Sequence, residues 1–257
     1  MSIVWPKIVL FGDSQVQVRF FSVVANSRAF DPSSSPWGAL LATKFQRVAD
    51  VITRGFSGYT SRSGRIILPH IFNRENISDV EAFVIFFGSN DSSGKLDASP
   101  YYVPIEEYSE NLEEMIKYLQ SIGLRKDKII LMTPGPFHAE KFLKWCQEMG
   151  RDFPVKDEKL VPEYVKACLG VAKKHNLDSV NIYEEMKKHE DWPRFLIDGL
   201  HISPDGAELT YELLWPILKK KIDPSEMLLP YWRDINHIKA EDNEDDICFK
   251  KCPNLRV

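Results

Sequence analysis

The stretch Ile8-Val9-Leu10-Phe11-Gly12-Asp13-Ser14 is an apolar run that stops at a glycine and delivers a serine two residues later. An apolar run of this length, ended by small and polar turn residues, is typical of a buried strand. A second run of the same kind, Ile85-Phe86-Phe87-Gly88, leads into Ser89-Asn90-Asp91. Both stretches therefore predict strands of a covered sheet that carry polar residues at their C-terminal ends.

Strand-like runs alternate along the chain with stretches long enough for a crossover helix. The runs are Lys7 to Phe11, Val48 to Thr53, Val80 to Phe87, Lys128 to Thr133 and Ser179 to Tyr183. This alternation is typical of a parallel sheet with helices on both faces, because a parallel strand pair needs a long connection. The sequence therefore predicts an α/β fold of three αβα layers with a central parallel sheet of about five strands.

Three helices are indicated by their periodicity and by their end signals. The first runs from Pro104 to Gly123 and carries apolar residues at helical spacing. The second runs from about Val161 to His175, and the third runs from Pro204 to about Lys221. Ser203 is a good capping residue for the third helix. His201 is therefore expected in the loop just before that helix.

Length and charge favour a single globular domain. A chain of 257 residues can bury a substantial core without a second domain. The formal net charge is −4, and charges of both signs are interspersed. No basic stripe or polybasic amphipathic segment is present, so nucleic acid and membrane surfaces are not expected as partners.

The N-terminal apolar run is too short to span a bilayer, and it leads directly into Ser14. We therefore expect neither a membrane span nor a cleaved leader.

The four cysteines, Cys146, Cys168, Cys248 and Cys252, show no close disulfide framework, which favours a reduced, cytoplasmic protein. Cys248 and Cys252 have no second cysteine or histidine pair near them. Cysteines without function are therefore favoured over half a metal site or a redox pair.

The composition changes near the C-terminus. Residues 1–234 are predicted to form one folded domain, and residues 235–257 are predicted to be a flexible acidic tail, because Glu241 to Asp246 offers little to bury. The apolar stretch Leu228 to Trp232 leaves two interpretations open. It docks on the domain, or it forms a subunit contact in a homodimer.

Four short blocks carry the residues of hydrolytic chemistry: Gly12 to Ser14, Arg54 to Tyr59, Gly88 to Asp91, and Asp198 to His201. Serine is a weak nucleophile at neutral pH, so it needs a base with an orienting acid behind it, and the Asp-x-x-His block offers both. Each block alone resembles an ordinary turn, but four blocks in one order are far more specific. In order and spacing they resemble the GDSL or SGNH hydrolases, and most closely the isoamyl acetate-hydrolysing esterases, from about residue 8 to about residue 234.

The resemblance implies a flavodoxin-like fold and a role for each site residue. Ser14 would attack the ester carbonyl, His201 would act as the general base and acid, and Asp198 would hold the imidazole in the required tautomer. The oxyanion hole would consist of the backbone N–H groups of Ser14 and Gly58 and the side-chain amide of Asn90. Glycine lets the backbone approach the substrate, and an asparagine amide donates without a full charge.

Several neighbouring residues are open to simpler interpretations. Asp13 and Asp91 are expected to have structural roles, because an acid beside a turn often bonds to its own backbone. His138 follows the fourth strand and is expected to line the substrate pocket. After the serine, Gln15-Val16-Gln17 stands where similar proteins commonly have Ile-Thr-Gln or Leu-Thr-Gln, and a serine-rich, insertion-like stretch follows from Ala25 to Ser35. Both departures from the family pattern affect the expected shape of the pocket entrance.

The resemblance implies a serine esterase that acts on short-chain carboxylic esters, acetates among them, through an acyl-enzyme. A thioesterase or a carbohydrate O-deacetylase would use the same machinery. A non-catalytic interaction protein could also keep the fold, but the intact Ser14, Asn90, Asp198 and His201 argue against it. No histidine or cysteine pair has the spacing of metal ligands, so we expect a metal-independent enzyme without a cofactor and with a small-molecule ester as its partner.

Overall fold

Five strands form one parallel sheet in the computed structural model, which describes residues 4–17, 37–94, 101–152, 156–225 and 227–228. The strands are β1 (Lys7–Gly12), β2 (Asp50–Gly55), β3 (Val80–Phe86), β4 (Ile129–Met132) and β5 (Asp178–Val180). Their order is β2-β1-β3-β4-β5, and every neighbouring pair is parallel. This is the flavodoxin-like order, so the predicted fold is confirmed.

Seven helices accompany the sheet within the described residues. They are α1 (Trp37–Lys44), α2 (Ser61–Ile71), α3 (Ile105–Ser121), α4 (Ala139–Glu148), α5 (Val161–His175), α6 (Ile182–Lys187) and α7 (Pro204–Lys221). The same described ranges also contain short 3₁₀ turns at Lys126–Lys128 and Trp192–Phe195. None of the helices in the described ranges is long and apolar enough to cross a bilayer.

Both faces of the sheet are covered, and the alternation of side chains along β1 shows how. Ile8 and Leu10 point into a core that contains residues of α1 and α7. Val9 and Phe11 point into the opposite core, which contains residues of α2, α3 and α5. Since successive side chains of a strand point to opposite faces, a continuously apolar strand fits only between two layers. The apolar run in the sequence is thus explained by burial on both sides.

The predicted fifth strand is wrong at its end. The strand stops at Val180, and α6 begins at Ile182, although Ile182 and Tyr183 are good strand formers. The side chain of Asn181 accepts a hydrogen bond from the N–H of Glu184 at 3.1 Å and caps the helix. This local cap outweighs the strand propensity of the two residues that follow it.

The second strand begins two residues later than predicted, because Val48 and Ala49 belong to the turn after α1. Their N–H groups both donate to the carbonyl oxygen of Phe45. The predicted helices agree better with the structure: α5 and α7 have the predicted bounds, and α3 begins at Ile105 with Pro104 as its capping position.

The order of the strands reverses between β1 and β3, which leave the sheet toward helices on opposite faces. In open α/β sheets, ligands bind at such a switch point, outside the carboxyl ends of the strands. Ser14 follows β1, Gly58 follows β2 and Asn90 follows β3. The three predicted site residues therefore lie at the carboxyl ends of three adjacent strands.

Candidate active site

Ser14 lies in a tight turn directly after β1. The N–H groups of Val16 and Gln17 both donate to the carbonyl oxygen of Asp13 at 3.2 Å, which reverses the chain around the serine. Gly12 permits the turn, because a Cβ atom there would lie 2.3 Å from the carbonyl oxygen of Phe86. Ser14 itself is only partly buried, at the carboxyl ends of the strands.

Asp198 and His201 lie in a second tight turn, between the 3₁₀ turn at 192–195 and α7. One carboxylate oxygen of Asp198 accepts hydrogen bonds from the N–H groups of Leu200 at 2.9 Å and His201 at 2.7 Å. Gly199 has a φ of +93°, and a Cβ atom at this position would lie 2.7 Å from the carbonyl oxygen of His138. The turn therefore requires glycine on two grounds, the backbone angle and the available space.

The two turns bring together the three residues that the sequence predicts to be catalytic. His201 Nε2 lies 3.1 Å from Ser14 Oγ, and His201 Nδ1 lies 2.6 Å from Asp198 Oδ2. The contact between His201 and Ser14 connects residues 187 positions apart in the chain. A serine hydroxyl, an imidazole and a buried carboxylate in this sequence can transfer a proton away from the hydroxyl oxygen.

The environment of Asp198 keeps its carboxyl group ionised. Burial raises the pKa of Asp198, but the hydrogen bond and the charge of His201, together with the backbone N–H groups of His201 and Leu200, outweigh burial. The net pKa is therefore below the usual value. An ionised Asp198 is what an orienting acid behind an imidazole must provide.

The predicted oxyanion residues lie at the ends of the neighbouring strands. Gly58 has a φ of +79°, a left-handed conformation that favours glycine. The side-chain amide of Asn90 donates one hydrogen bond to the carbonyl oxygen of Tyr59 at 2.9 Å, which links the loop after β3 to the loop after β2. An amide nitrogen carries two hydrogens, so a second one remains for another acceptor.

Asp13 and Asp91 are completely buried beneath the site. Asp13 accepts a hydrogen bond from the N–H of Gln15 at 2.9 Å, as expected for an acid in its own turn, whereas Asp91 accepts from the N–H of Ser61 at 2.9 Å and also from its hydroxyl group. Burial raises the pKa of Asp13 to about 7 and that of Asp91 to about 6.

Lys156 is a partly buried neighbour of these two acids, and the sequence did not point to it. Its ammonium group donates to the carbonyl oxygen of Ser89, and burial lowers the pKa of the lysine to about 8. The charges of Asp13 and Asp91 act in the other direction and favour the charged lysine. Lys156 lies in a connection outside every motif, so only the folded chain reveals its position.

His138, which was expected to line the substrate pocket, caps α4. Its Nδ1 accepts a hydrogen bond from the N–H of Lys141 at 3.1 Å, and its ring lies against Trp192. The ammonium group of Lys141 in turn donates to the carbonyl oxygens of Pro193 at 3.0 Å and Leu196 at 2.6 Å. Together these contacts hold the N-terminus of α4 against the segment that leads into the Asp198 turn.

Some predictions fall outside the described residues. The stretch from Ala25 to Ser35, the acidic tail with Cys248 and Cys252, and the stretch after Leu228 are among them. Where the structure does describe the chain, no group of three or more histidine, cysteine or acidic side chains is arranged to hold a metal ion.

A groove of about 540 Å³ lies at the opposite edge of the sheet, near the N-terminal ends of β3, β4 and β5. Its charges pair with one another, for example Lys128 with Glu81 at 3.1 Å and Lys221 with Asp178 at 2.6 Å. None of the predicted site residues lines this groove. The candidate site is therefore the one around Ser14, at the carboxyl ends of the strands.

Comparison with known proteins agrees with the motifs and the fold. Residues 10–209 match the model of the GDSL-like Lipase/Acylhydrolase family. The chain is 39% identical to the rat isoamyl acetate-hydrolyzing esterase 1 homolog and 37% identical to the human protein of that name, in both cases over 93% of this chain and 92% of the relative.

A solved structure gives the same result for the fold. The lipase/acylhydrolase from Enterococcus faecalis superposes with a TM-score of 0.62 at 27% identity, over 86% of this chain and 98% of that one. The family match spans most of the chain and includes all four motif blocks, so the predicted family resemblance is confirmed. The chain therefore belongs to the GDSL-like lipase/acylhydrolase family and is a carboxylic ester hydrolase.

Proposed function

We propose that this protein is a serine esterase that hydrolyses short-chain carboxylic esters, acetates among them, through an acyl-enzyme formed on Ser14. The observation that carries the proposal is the continuous hydrogen-bond chain from Ser14 through His201 to Asp198, with contacts of 3.1 and 2.6 Å. Both contacts are within the reach that proton transfer and orientation of the base require.

In the first half of the reaction, His201 Nε2 takes the proton of Ser14 as the hydroxyl oxygen attacks the ester carbonyl carbon. The carbonyl π bond opens, and its electron pair moves to the oxygen. The resulting imidazolium is stabilised by the ionised Asp198, whose pKa is low. His201 then gives the proton to the alkoxy oxygen, the C–O bond breaks, and the alcohol leaves an acyl group on Ser14.

In the second half, water replaces the alcohol. His201 removes a proton from a water molecule, the hydroxide attacks the acyl carbon, and the proton returns to Ser14 as the carboxylic acid leaves. Both tetrahedral intermediates carry a negative oxygen. The backbone N–H groups of Ser14 and Gly58 and the second hydrogen of the Asn90 amide are the donors that we assign to it.

The preference for short acyl groups is supported by the relatives. Proteins 37–39% identical over 93% of the chain are named isoamyl acetate-hydrolyzing esterase 1 homologs. An acetyl group offers only one methyl to bury, and each additional methylene that a pocket buries adds about 0.8 kcal/mol of binding. A site adapted to acetates should therefore not gain activity steadily with chain length.

A fluorophosphonate probe and a substrate panel test the proposal. We expect the probe to label the wild-type protein at Ser14, and the Ser14→Ala variant to remain folded, unlabelled and inactive. With p-nitrophenyl esters from C2 to C16, kcat/KM should be highest between C2 and C6 and should not change on addition of EDTA. Labelling at another serine would contradict the nucleophile, and a maximum at C10 or beyond would contradict the substrate class. A thioester and an O-acetylated sugar in the same panel test the two related activities.

A further inference from the structure

The side chain of Gln15 connects the turn of the nucleophile to the turn of the base. Its Nε2 donates a hydrogen bond to the carbonyl oxygen of Leu200 at 2.9 Å, and its Oε1 accepts one from the N–H of Ile202 at 3.2 Å. Leu200 and Ile202 are the two chain neighbours of His201. A single buried amide, on the residue that follows Ser14, therefore contacts both flanks of the candidate base.

These contacts complete the support of the backbone around His201. The N–H of His201 donates to Asp198 at 2.7 Å, and its carbonyl oxygen accepts from the N–H of Ile197 at 2.7 Å. Gln15 bonds to the carbonyl oxygen that precedes His201 and to the N–H that follows it. Four consecutive backbone polar groups around the base therefore have hydrogen-bond partners.

Gln15 is itself held firmly enough to act as a support. Its backbone N–H donates to Asp13 at 2.9 Å, and its carbonyl oxygen accepts from the indole N–H of Trp37 at 2.9 Å. Because both main-chain groups and both ends of the planar amide have partners, the side chain has little freedom to rotate. An aliphatic residue at this position could fill the space but could not form either bond to the His201 segment.

We propose that Gln15 is a positioning residue that sets the distance and angle between His201 Nε2 and Ser14 Oγ. It acts through the backbone of Leu200 and Ile202 and does not touch the reacting atoms. The proposal rests on the proposed function, since it takes Ser14 as the nucleophile and His201 as the base. A displacement of about 1 Å in such a pair is enough to cost about 10²-fold in rate.

The test compares Gln15→Met with a variant that loses a hydrogen bond elsewhere. Methionine has nearly the length and volume of glutamine but forms neither bond. Tyr118→Phe is the control, because it removes the 2.7 Å hydrogen bond to the carbonyl oxygen of Phe72, between the C-terminal parts of α2 and α3. Each variant is assayed for kcat and KM on p-nitrophenyl acetate, for the rate of fluorophosphonate labelling, and for thermal stability.

We expect Gln15→Met to lower kcat by about 10- to 100-fold, to change KM by less than about threefold, and to slow labelling by the same factor as kcat. Tyr118→Phe should keep wild-type kcat and labelling rate even if its melting temperature falls equally. Gln15→Glu keeps an acceptor for Ile202 but turns a carboxylate oxygen toward the carbonyl oxygen of Leu200, so its kcat should fall at least as far as that of Gln15→Met, and it also serves if the methionine variant does not fold.

Wild-type kcat and labelling rate in both Gln15 variants, or a loss confined to KM, would overturn the positioning role. Because the wild-type protein is assayed in parallel, the two proposals fail in different ways. If the wild type neither hydrolyses esters nor is labelled at Ser14, the proposed function fails, and the role of Gln15 fails with it. If the wild type is active and labelled while the Gln15 variants match it, only the role of Gln15 fails.

Discussion

Asp198 and Asp13 are both buried acids in tight turns next to the catalytic contact, yet their pKa values move in opposite directions. Asp198 is 2% exposed and Asp13 is 0% exposed. Three hydrogen bonds reach Asp198, two from backbone N–H groups and one from His201. Asp13 accepts one from Gln15, and within the described part of the chain its Oδ2 has no hydrogen-bond partner. The pKa of Asp198 is accordingly lowered, and that of Asp13 is raised to about 7.

The difference shows that burial alone does not decide the charge of a carboxyl group in this site. Desolvation disfavours ionisation at both positions, and the hydrogen-bond donors together with the neighbouring charges determine whether it is overcome. The acid behind the base receives enough donors to remain charged, as its proposed role requires. Asp13, in the turn of the nucleophile, does not receive enough donors. Its pKa depends also on the charges of Asp91 and Lys156.

The largest effect is expected when the charge of Asp198 is removed. Asp198→Asn keeps an oxygen for the two backbone N–H groups but presents a donor toward His201, which forces the wrong imidazole tautomer. We expect kcat to fall by about 10⁴-fold with a normal fold. Asp13→Asn is the matched control, since it replaces a buried carboxyl group of similar exposure one residue from Ser14, and we expect it to cost less than about tenfold. Steady-state kinetics of both variants decide the point, and equal losses would contradict the distinction between the two acids.

The next largest effect is expected at the oxyanion hole, where the negative oxygen of the tetrahedral intermediate must be stabilised. Asn90→Ala should lower kcat by about 10²- to 10³-fold with little change in KM, because it removes one oxyanion donor. Asn90→Asp should be worse than alanine, since a carboxylate would repel the oxyanion. A rise in KM at constant kcat would instead identify Asn90 as a substrate-binding residue.

The turn that supplies the donors of Asp198 can also be disturbed directly. Gly199→Ala adds a Cβ atom 2.7 Å from the backbone of both His138 and Phe142, at a φ of +93°. Gly123→Ala is the control, because Gly123 has a φ of +110° and nothing lies within 4 Å of the added atom. Both variants carry backbone strain of about 1–3 kcal/mol. We expect Gly199→Ala to melt at least about 3 °C lower than the control and to lose about tenfold in kcat, measured by calorimetry and steady-state kinetics. Equal melting temperatures and activities would show that the turn adapts.

The sequence predicted the parts of the site that depend on local pattern. Ser14 follows an apolar run that is typical of a buried strand, and His201 precedes a helix whose start is marked by Ser203 and Pro204. The parallel sheet then places Ser14, Gly58 and Asn90 at one edge, so their convergence follows from topology.

The contacts that support these residues were not predictable, because they join distant positions through side chains with many alternatives. Nothing near Gln15 indicates that its amide reaches Leu200, 185 residues away, and nothing marks Lys156 as the partner of Ser89. The pKa difference between Asp13 and Asp198 has the same origin. It depends on donors that only the folded backbone supplies. The error at β5 was different, since Asn181 gave a capping signal that the strand propensity of Ile182 and Tyr183 obscured.

The smallest expected effect is on stability, and it separates the two acids by pH. The folded pKa of Asp13, about 7, is above the usual value of 3.8, so the folded state binds this proton more tightly than the unfolded state. The stability from this group is fully present below about pH 4 and is lost as the pH rises through 7. The contribution of Asp198 to stability has the opposite pH dependence, and it is lost only as the pH falls below the usual range of carboxyl groups.

Between pH 5 and pH 8, wild-type protein should therefore lose stability that Asp13→Asn keeps, a difference on the order of 5 °C in melting temperature. Both proteins retain Asp91 and Lys156, and Asp50→Asn at an exposed carboxyl group should follow the wild-type curve. Parallel melting curves for wild type and Asp13→Asn across this range would mean that Asp13 is already ionised at pH 5 and that its single donor is sufficient.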